Sequence, residues 1–197
     1  MNNMNRYEYS DEIANVVKKF LEDDEWKYSF NEKKGVFHFG LRIRSKIQRI
    51  NYVIHVYKDE MITYGISPVA ADPDDPEIMR QMAEFICCAN YGLKNGCFEL
   101  DFRDGEIRFK SFIDCDHQLP SAEVVENSVR CTAAMFQYYA AGFTDIIFGG
   151  ASAADTIKKY ERTTEEVVHL VEEEARGEEE KEPHVRMNLF GMQGGEV

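Results

Sequence analysis

Hydrophobic side chains near the start of the chain recur at helical spacing. Five of them would lie on one side of a first helix: Ile13, Val16, Val17, Phe20 and Leu21. Ser10 precedes this segment and can cap it. Between residues 26 and 67 the spacing changes to an alternation of apolar and polar positions, separated by short polar turns. This second pattern predicts four β-strands joined as an antiparallel meander.

A β-hairpin is predicted around residues 99–110. Asp104-Gly105 at its centre favours a two-residue turn. Counting outward from that turn places Phe102 opposite Ile107, on an apolar side that would face the core. The other side of the hairpin carries opposite charges that would face solvent in cross-strand pairs.

Helical spacing returns after the proline-containing loop 68–76, and again in two segments over about 121–149 and 152–175. The predicted order of elements is α-β-β-β-β-α-β-β-α-α. We therefore expect an α+β fold, in which an antiparallel sheet made of the meander and the hairpin has its helices packed on one face.

The charge of the chain limits its possible partners. The formal net charge is −13 over 197 residues, which argues against binding to nucleic acid or to anionic membranes, because both require a basic surface. The acid is concentrated at one end, since residues 161–197 hold 11 Glu against 4 Lys and Arg. We predict an α+β domain over residues 1–160 and an acidic helical extension with a C-terminal tail over residues 161–197.

The chain carries no sign of export. No stretch approaches the roughly 18 apolar residues of a membrane span, and MNNMNRYEYSDE lacks the apolar core of a signal peptide. The five cysteines are an odd number, and Cys87 and Cys88 are adjacent, so their spacing does not indicate a disulfide framework. We expect a cytoplasmic protein with free thiols.

The cysteines and histidines allow two kinds of chemical site. A metal site could combine Cys115, Asp116 and His117 with other cysteines, but the close ligand pairs that zinc prefers, such as C-x₂-C, are missing. A thiol nucleophile needs a positioned base, and no local motif joins a cysteine to His38, His55 or His117. We predict no metal, no cofactor and no catalytic residue, with a metal-binding or thiol-dependent enzyme or sensor as the alternative.

One segment resembles a known family. Residues 89–114, ANYGLKNGCFELDFRDGEIRFKSFID, combine a helix end, an aromatic-Glu-Leu-Asp strand, an Asp-Gly turn and a Glu-Ile-Arg-aromatic-Lys strand. With the downstream stretch AAMFQYYAAGFTDIIFGG, this segment resembles the bacterial YbjN family, over about residues 10–160. The resemblance implies a fold similar to type III secretion chaperones, which often dimerise and bind other proteins. YbjN-like proteins are described as regulators of sensory transduction without established enzymatic chemistry.

From this resemblance we expect a non-enzymatic regulator or chaperone-like adaptor that binds a protein partner or client peptide and forms a homodimer. A single-layer α+β domain cannot bury both faces of its sheet, so aromatic side chains either lie on an exposed face or edge or are covered by the helices and tail. The apolar segment 187–192 could dock on its own domain, on a second subunit or on another protein. The candidate partner-binding residues are Trp26, Tyr28, Phe37, Phe39, Tyr52, Tyr64, Leu189 and Phe190.

Overall fold

Six β-strands and four helices form within residues 8–160, the part of the chain that the computed structural model describes. The strands are β1 (Tyr28–Asn31), β2 (Val36–Arg42), β3 (Arg49–Val56), β4 (Glu60–Ile66), β5 (Cys97–Leu100) and β6 (Ile107–Asp114). The helices are α1 (Asp11–Asp23), α2 (Pro76–Tyr91), α3 (Ala122–Gly149) and α4 (Ala153–Ile157). Their order along the chain confirms the predicted one.

The strands form one antiparallel sheet in the order β1-β2-β3-β4-β6-β5. The meander supplies the first four strands, and the hairpin joins it because β6 pairs with β4. The predicted α+β class and the antiparallel sheet of meander plus hairpin are therefore confirmed.

Polar side chains begin the three long helices. Ser10 caps α1, Asp75 caps α2 and Ser121 caps α3, each accepting hydrogen bonds from backbone N–H groups of the first turn. Gly150, with a φ of 62°, follows α3 in the left-handed conformation that glycine adopts with little strain. These caps define where each helix begins and where the longest one ends.

The helices pack on one face of the sheet, as predicted. The buried side chains of this face are Phe37, Phe39, Ile50, Tyr52, Ile54, Met61, Phe98, Ile107 and Phe109. Helix α3 approaches β4 closely, since the hydroxyl oxygens of Thr63 and Ser128 are 3.0 Å apart. A Cβ atom at Gly65 would collide with the methyl group of Thr132. The small side chains of β4 therefore allow α3 to lie against the sheet.

The β5–β6 hairpin corrects the predicted register. Leu100 is the partner of Ile107, and the Asp101 N–H donates a 2.9 Å hydrogen bond to the carbonyl of Glu106, so the turn has four residues instead of two. The Ala71 N–H donates a 3.0 Å hydrogen bond to the carbonyl of Gly105, which ties the wide turn to the loop before α2. A shift of two residues keeps the same side of each strand toward the core. It leaves Phe102 in the turn, however, with 65% of its surface exposed.

The last predicted helix is only partly described. Helix α4 ends at Ile157, and the predicted helix beyond residue 160 lies outside the described residues, as does the acidic tail. One compact unit of the chain ends at Ile157, and the boundary between residues 160 and 161 stays a prediction. No helix in residues 8–160 combines the length and the apolar character needed to cross a membrane.

Candidate functional site

Beyond the buried Met61, strand β4 carries its larger apolar side chains on the face away from the helices. Thr63 and Gly65 point toward the helices and are buried, whereas Ile62, Tyr64 and Ile66 alternate with them on the opposite face. The close approach of α3 explains this arrangement, because the space between α3 and β4 admits only small side chains at positions 63 and 65. The common arrangement, with the more apolar side of a strand turned inward, is therefore reversed along much of β4.

Neighbouring strands extend this apolar surface. We call it the open-face patch, and it consists of Val53, His55, Ile62, Tyr64, Ile66 and Phe112. Ile62 is the register partner of His55 on one side and of Phe112 on the other, so the patch is continuous across three strands. Phe112 keeps 48% of its surface exposed, and the other members are half-buried. The described helices all pack on the other face of the sheet.

His55 lies in the aromatic part of the open-face patch. Its ring stacks on Tyr57 with 6.0 Å between centroids and meets Tyr64 edge-on at 5.9 Å. Burial, followed by the positive charges of His38 and Arg108, lowers the pKa of His55. The neutral imidazole is therefore favoured, which keeps this part of the patch uncharged near neutral pH.

Two pairs of like charge flank the open-face patch at its opposite ends. Arg42 and Arg49 are register partners across β2 and β3, and Glu60 and Asp114 are register partners across β4 and β6. Like charges directly opposite each other destabilise a sheet. None of the four forms an ion pair with another residue of the range 8–160. One apolar surface thus has an uncompensated basic end and an uncompensated acidic end.

The charges of Arg108 and Lys110 beside the open-face patch are paired with those of Glu99 and Glu106. Glu99 accepts hydrogen bonds from Arg108 at 2.7 Å and from Lys110 at 2.8 Å, and the Arg108 guanidinium lies 4.5 Å from the centre of the Tyr64 ring. Burial raises the pKa of Glu99, but the hydrogen bonds from Lys110 and Arg108 outweigh it and lower the pKa below its ordinary value. This cluster is a structural ion-pair network that supports β5 and β6.

The predicted partner-binding residues do not form one surface. Phe37, Phe39 and Tyr52 are core side chains, because their positions in the alternation turn them toward the helices. Trp26 and Tyr28 are half-buried near the β1 edge, where the Trp26 ring packs edge-on against Phe39 at 5.2 Å. These five residues therefore stabilise the helix-facing side of the sheet.

Tyr64 is the predicted partner-binding residue that lies in the open-face patch, while Leu189 and Phe190 are outside the described residues. Sequence reasoning missed Val53, His55, Ile62, Ile66 and Phe112 as members of the patch. The alternation of Ile62, Tyr64 and Ile66 was a visible signal, but the sequence does not show on which side of β4 a helix packs. The run of four cations from residue 42 to residue 49, which contains no acidic residue, was a further signal.

The cysteines lend no support to a metal or thiol site. Within residues 8–160, no three His, Cys, Asp or Glu side chains are grouped so that they could hold a metal ion. Burial raises the pKa of Cys115 and Cys131, which disfavours the nucleophilic thiolate at both. Cys87 and Cys88 are exposed on α2, and neither forms a disulfide with another cysteine of residues 8–160.

No family model matches this chain, and neither does any curated protein. Solved structures that are similar to it include the two that follow. One is the crystal structure of YbjN from E. coli, with 14% identity and a TM-score of 0.47 over 65% of this chain and 91% of YbjN. The other belongs to the HopA1–SchA chaperone–effector complex, with 12% identity and a TM-score of 0.40 over 65% of this chain and 94% of the other.

Proposed function

We propose that this chain is a non-enzymatic, cytoplasmic protein-binding domain that acts as a regulator or chaperone-like adaptor, with the open-face patch as a docking surface. The observation that carries the proposal is the reversed alternation of β4, which turns Ile62, Tyr64 and Ile66 away from the helices. Soluble proteins seldom expose a continuous apolar surface, and those that do commonly use it to contact another protein.

The chemistry of the open-face patch suits a protein partner. Ile62 and Phe112 offer apolar area on paired strands, whose rigidity limits the conformational entropy lost on binding. Tyr64 adds an aromatic ring, a group enriched in the energetically dominant part of interfaces. A flat sheet face of this kind differs from the concave pockets that small molecules occupy.

Site-specific photocrosslinking tests the proposal. The full-length chain carries p-benzoylphenylalanine in place of Phe112, which is 48% exposed in the patch, or in place of Tyr91, which is 96% exposed on α2 outside it. Both substitutions replace an aromatic residue with another, so the two proteins are matched. After irradiation in the host cell, we expect a discrete protein adduct at position 112 and none at position 91. Equal labelling at both positions, or none at either, would contradict the proposal.

We further propose that Leu189 and Phe190 form a second contact with a partner or client protein. They belong to an apolar segment that follows an acidic run of the sequence, a composition that favours docking on an apolar surface with basic neighbours. Deletion of residues 177–197 should reduce partner binding more than it lowers the melting temperature. A large fall in melting temperature with partner binding retained would show that the segment serves stability instead.

A further inference from the structure

We propose that the protein docked on the open-face patch is a second copy of this chain, packed face to face about a two-fold axis. This inference rests on the proposed function and names the partner of the same surface. It is carried by the two pairs of like charge, Arg42 with Arg49 and Glu60 with Asp114, which lie at opposite ends of the patch.

The two ends of the open-face patch complement each other. In a homodimer with two-fold symmetry both copies use the same surface, so that if residue i meets residue j, then j also meets i. The two-fold axis lies between the two sheets and parallel to them, over the centre of the patch and perpendicular to the line that joins its two ends. Rotation about this axis brings the basic end of each copy onto the acidic end of the other. Arg42 and Arg49 then face Glu60 and Asp114 twice in one interface.

The centre of the open-face patch has the composition needed for such an interface. Val53 and Tyr64 are register partners near its middle, and Ile62 and Phe112 are register partners beside them. Two sheets that pack face to face lie about 10 Å apart and interdigitate apolar side chains of this kind. The dimer would therefore bury the exposed part of Phe112 at the same time as it pairs the charges.

The charge pattern favours a second copy over an unrelated partner. An acidic protein would compensate Arg42 and Arg49 but would be repelled by Glu60 and Asp114, and a basic protein would have the opposite difficulty. Nucleic acid would gain nothing from the apolar centre. A second copy compensates both ends and requires no charge that the chain itself lacks.

Two full-length variants with opposite charge reversals test this inference. R42E/R49E makes both ends of the patch acidic, and E60R/D114R makes both ends basic. We expect sedimentation equilibrium to show a wild-type dimer whose dissociation constant rises by about tenfold or more in each variant alone. An equimolar mixture of the two variants should form a heterodimer, because each reversed end again meets an opposite charge.

K19E/K94E is the matched control for R42E/R49E, since it makes the same change of charge at two exposed lysines outside the open-face patch. It should leave the dimer unchanged. If a reversal prevents folding, R42Q/R49Q or E60Q/D114Q takes its place and should still weaken self-association.

Three results would overturn the inference: a wild-type monomer at all accessible concentrations, self-association unchanged in both variants, or a mixture that does not associate. If position 112 is crosslinked to a different protein while the wild type is monomeric, the inference fails but the proposed function stands. If the mixture of the two variants forms no heterodimer and position 112 forms no crosslinked adduct, both the inference and the proposed function fail.

Discussion

The hydroxyl of Tyr52 donates a 2.6 Å hydrogen bond to the carbonyl oxygen of Val129, and both groups are buried. The bond joins the centre of β3 to the N-terminal third of α3, between residues 77 positions apart in the sequence. It explains why Tyr52 is a core residue, because a buried tyrosine needs a partner for its polar end. Tyr52 therefore sets the position of α3 on the sheet.

We predict that Tyr52→Phe lowers the free energy of unfolding by about 0.5–1.5 kcal/mol, the usual net value of one hydrogen bond. The aromatic ring remains, so the packing between β3 and α3 is retained. Urea denaturation of the full-length chain measures the change. Tyr91→Phe is the control, because that side chain is 96% exposed, and it should leave the stability unchanged. A larger loss in Tyr91→Phe than in Tyr52→Phe would contradict this account of the core.

The order of the elements and the alternation of β2 and β3 follow from local pattern, which is why the sequence predicts them. Phe37 and Ile54 alternate with more polar neighbours, and both are buried. The side of β4 that faces the helices depends instead on α3, which contacts it from about 65 residues away through Ser128 and Thr63. Local alternation cannot reveal such a contact, so most of the open-face patch could not be predicted from the sequence.

The register of the β5–β6 hairpin also depends on a contact from outside the local sequence, the hydrogen bond from Ala71 to Gly105 in the turn. This register gives a second prediction. Phe98 is 2% exposed and is paired with Phe109, whereas Phe102 lies in the four-residue turn. Phe98→Ala should therefore cost about 3–5 kcal/mol of stability through the cavity that it leaves. Phe102→Ala should change the stability by less than about 0.5 kcal/mol. Urea melts of the two variants measure both effects, and similar losses would indicate the two-residue turn that the sequence suggests.

A third prediction concerns the pH dependence of stability through His55. The pKa of His55 is lowered below its ordinary value of 6.5, most strongly by burial and to a smaller extent by the charges of His38, Arg108 and Lys34. Because the unfolded chain takes up this proton first, the stabilising effect of neutral His55 is fully present above about pH 6.5. It is lost as the pH falls from there through the lowered pKa of the folded state.

His55→Gln removes this titration, so its free energy of unfolding should fall less than that of the wild type between about pH 7 and pH 5. His117→Asn is the control, because His117 is 93% exposed in a loop, where solvent screens its contact with Asp116, and it has a positive φ that Asn tolerates. That variant should keep the pH dependence of the wild type. Parallel pH profiles for His55→Gln and the wild type would show that His55 does not contribute.

The last prediction follows from the opposition of Arg42 and Arg49 across β2 and β3. Arg42→Thr removes one of the two like charges and supplies a side chain that favours β-strands. At low protein concentration, where any dimer is dissociated, we expect the free energy of unfolding to rise by about 0.2–1 kcal/mol. The gain should shrink as salt is added, because salt screens the repulsion between exposed charges.

Lys58→Thr makes the same change of net charge at an exposed position in the turn between β3 and β4, where no such opposition exists. It should bring no gain in stability at low salt. An equal gain in both variants would attribute the effect to net charge instead of to the cross-strand pair. If Arg42→Thr is more stable as a monomer and yet weaker in self-association, the arginine pair costs stability in the free chain and contributes to binding, as expected of an interface that a second copy completes.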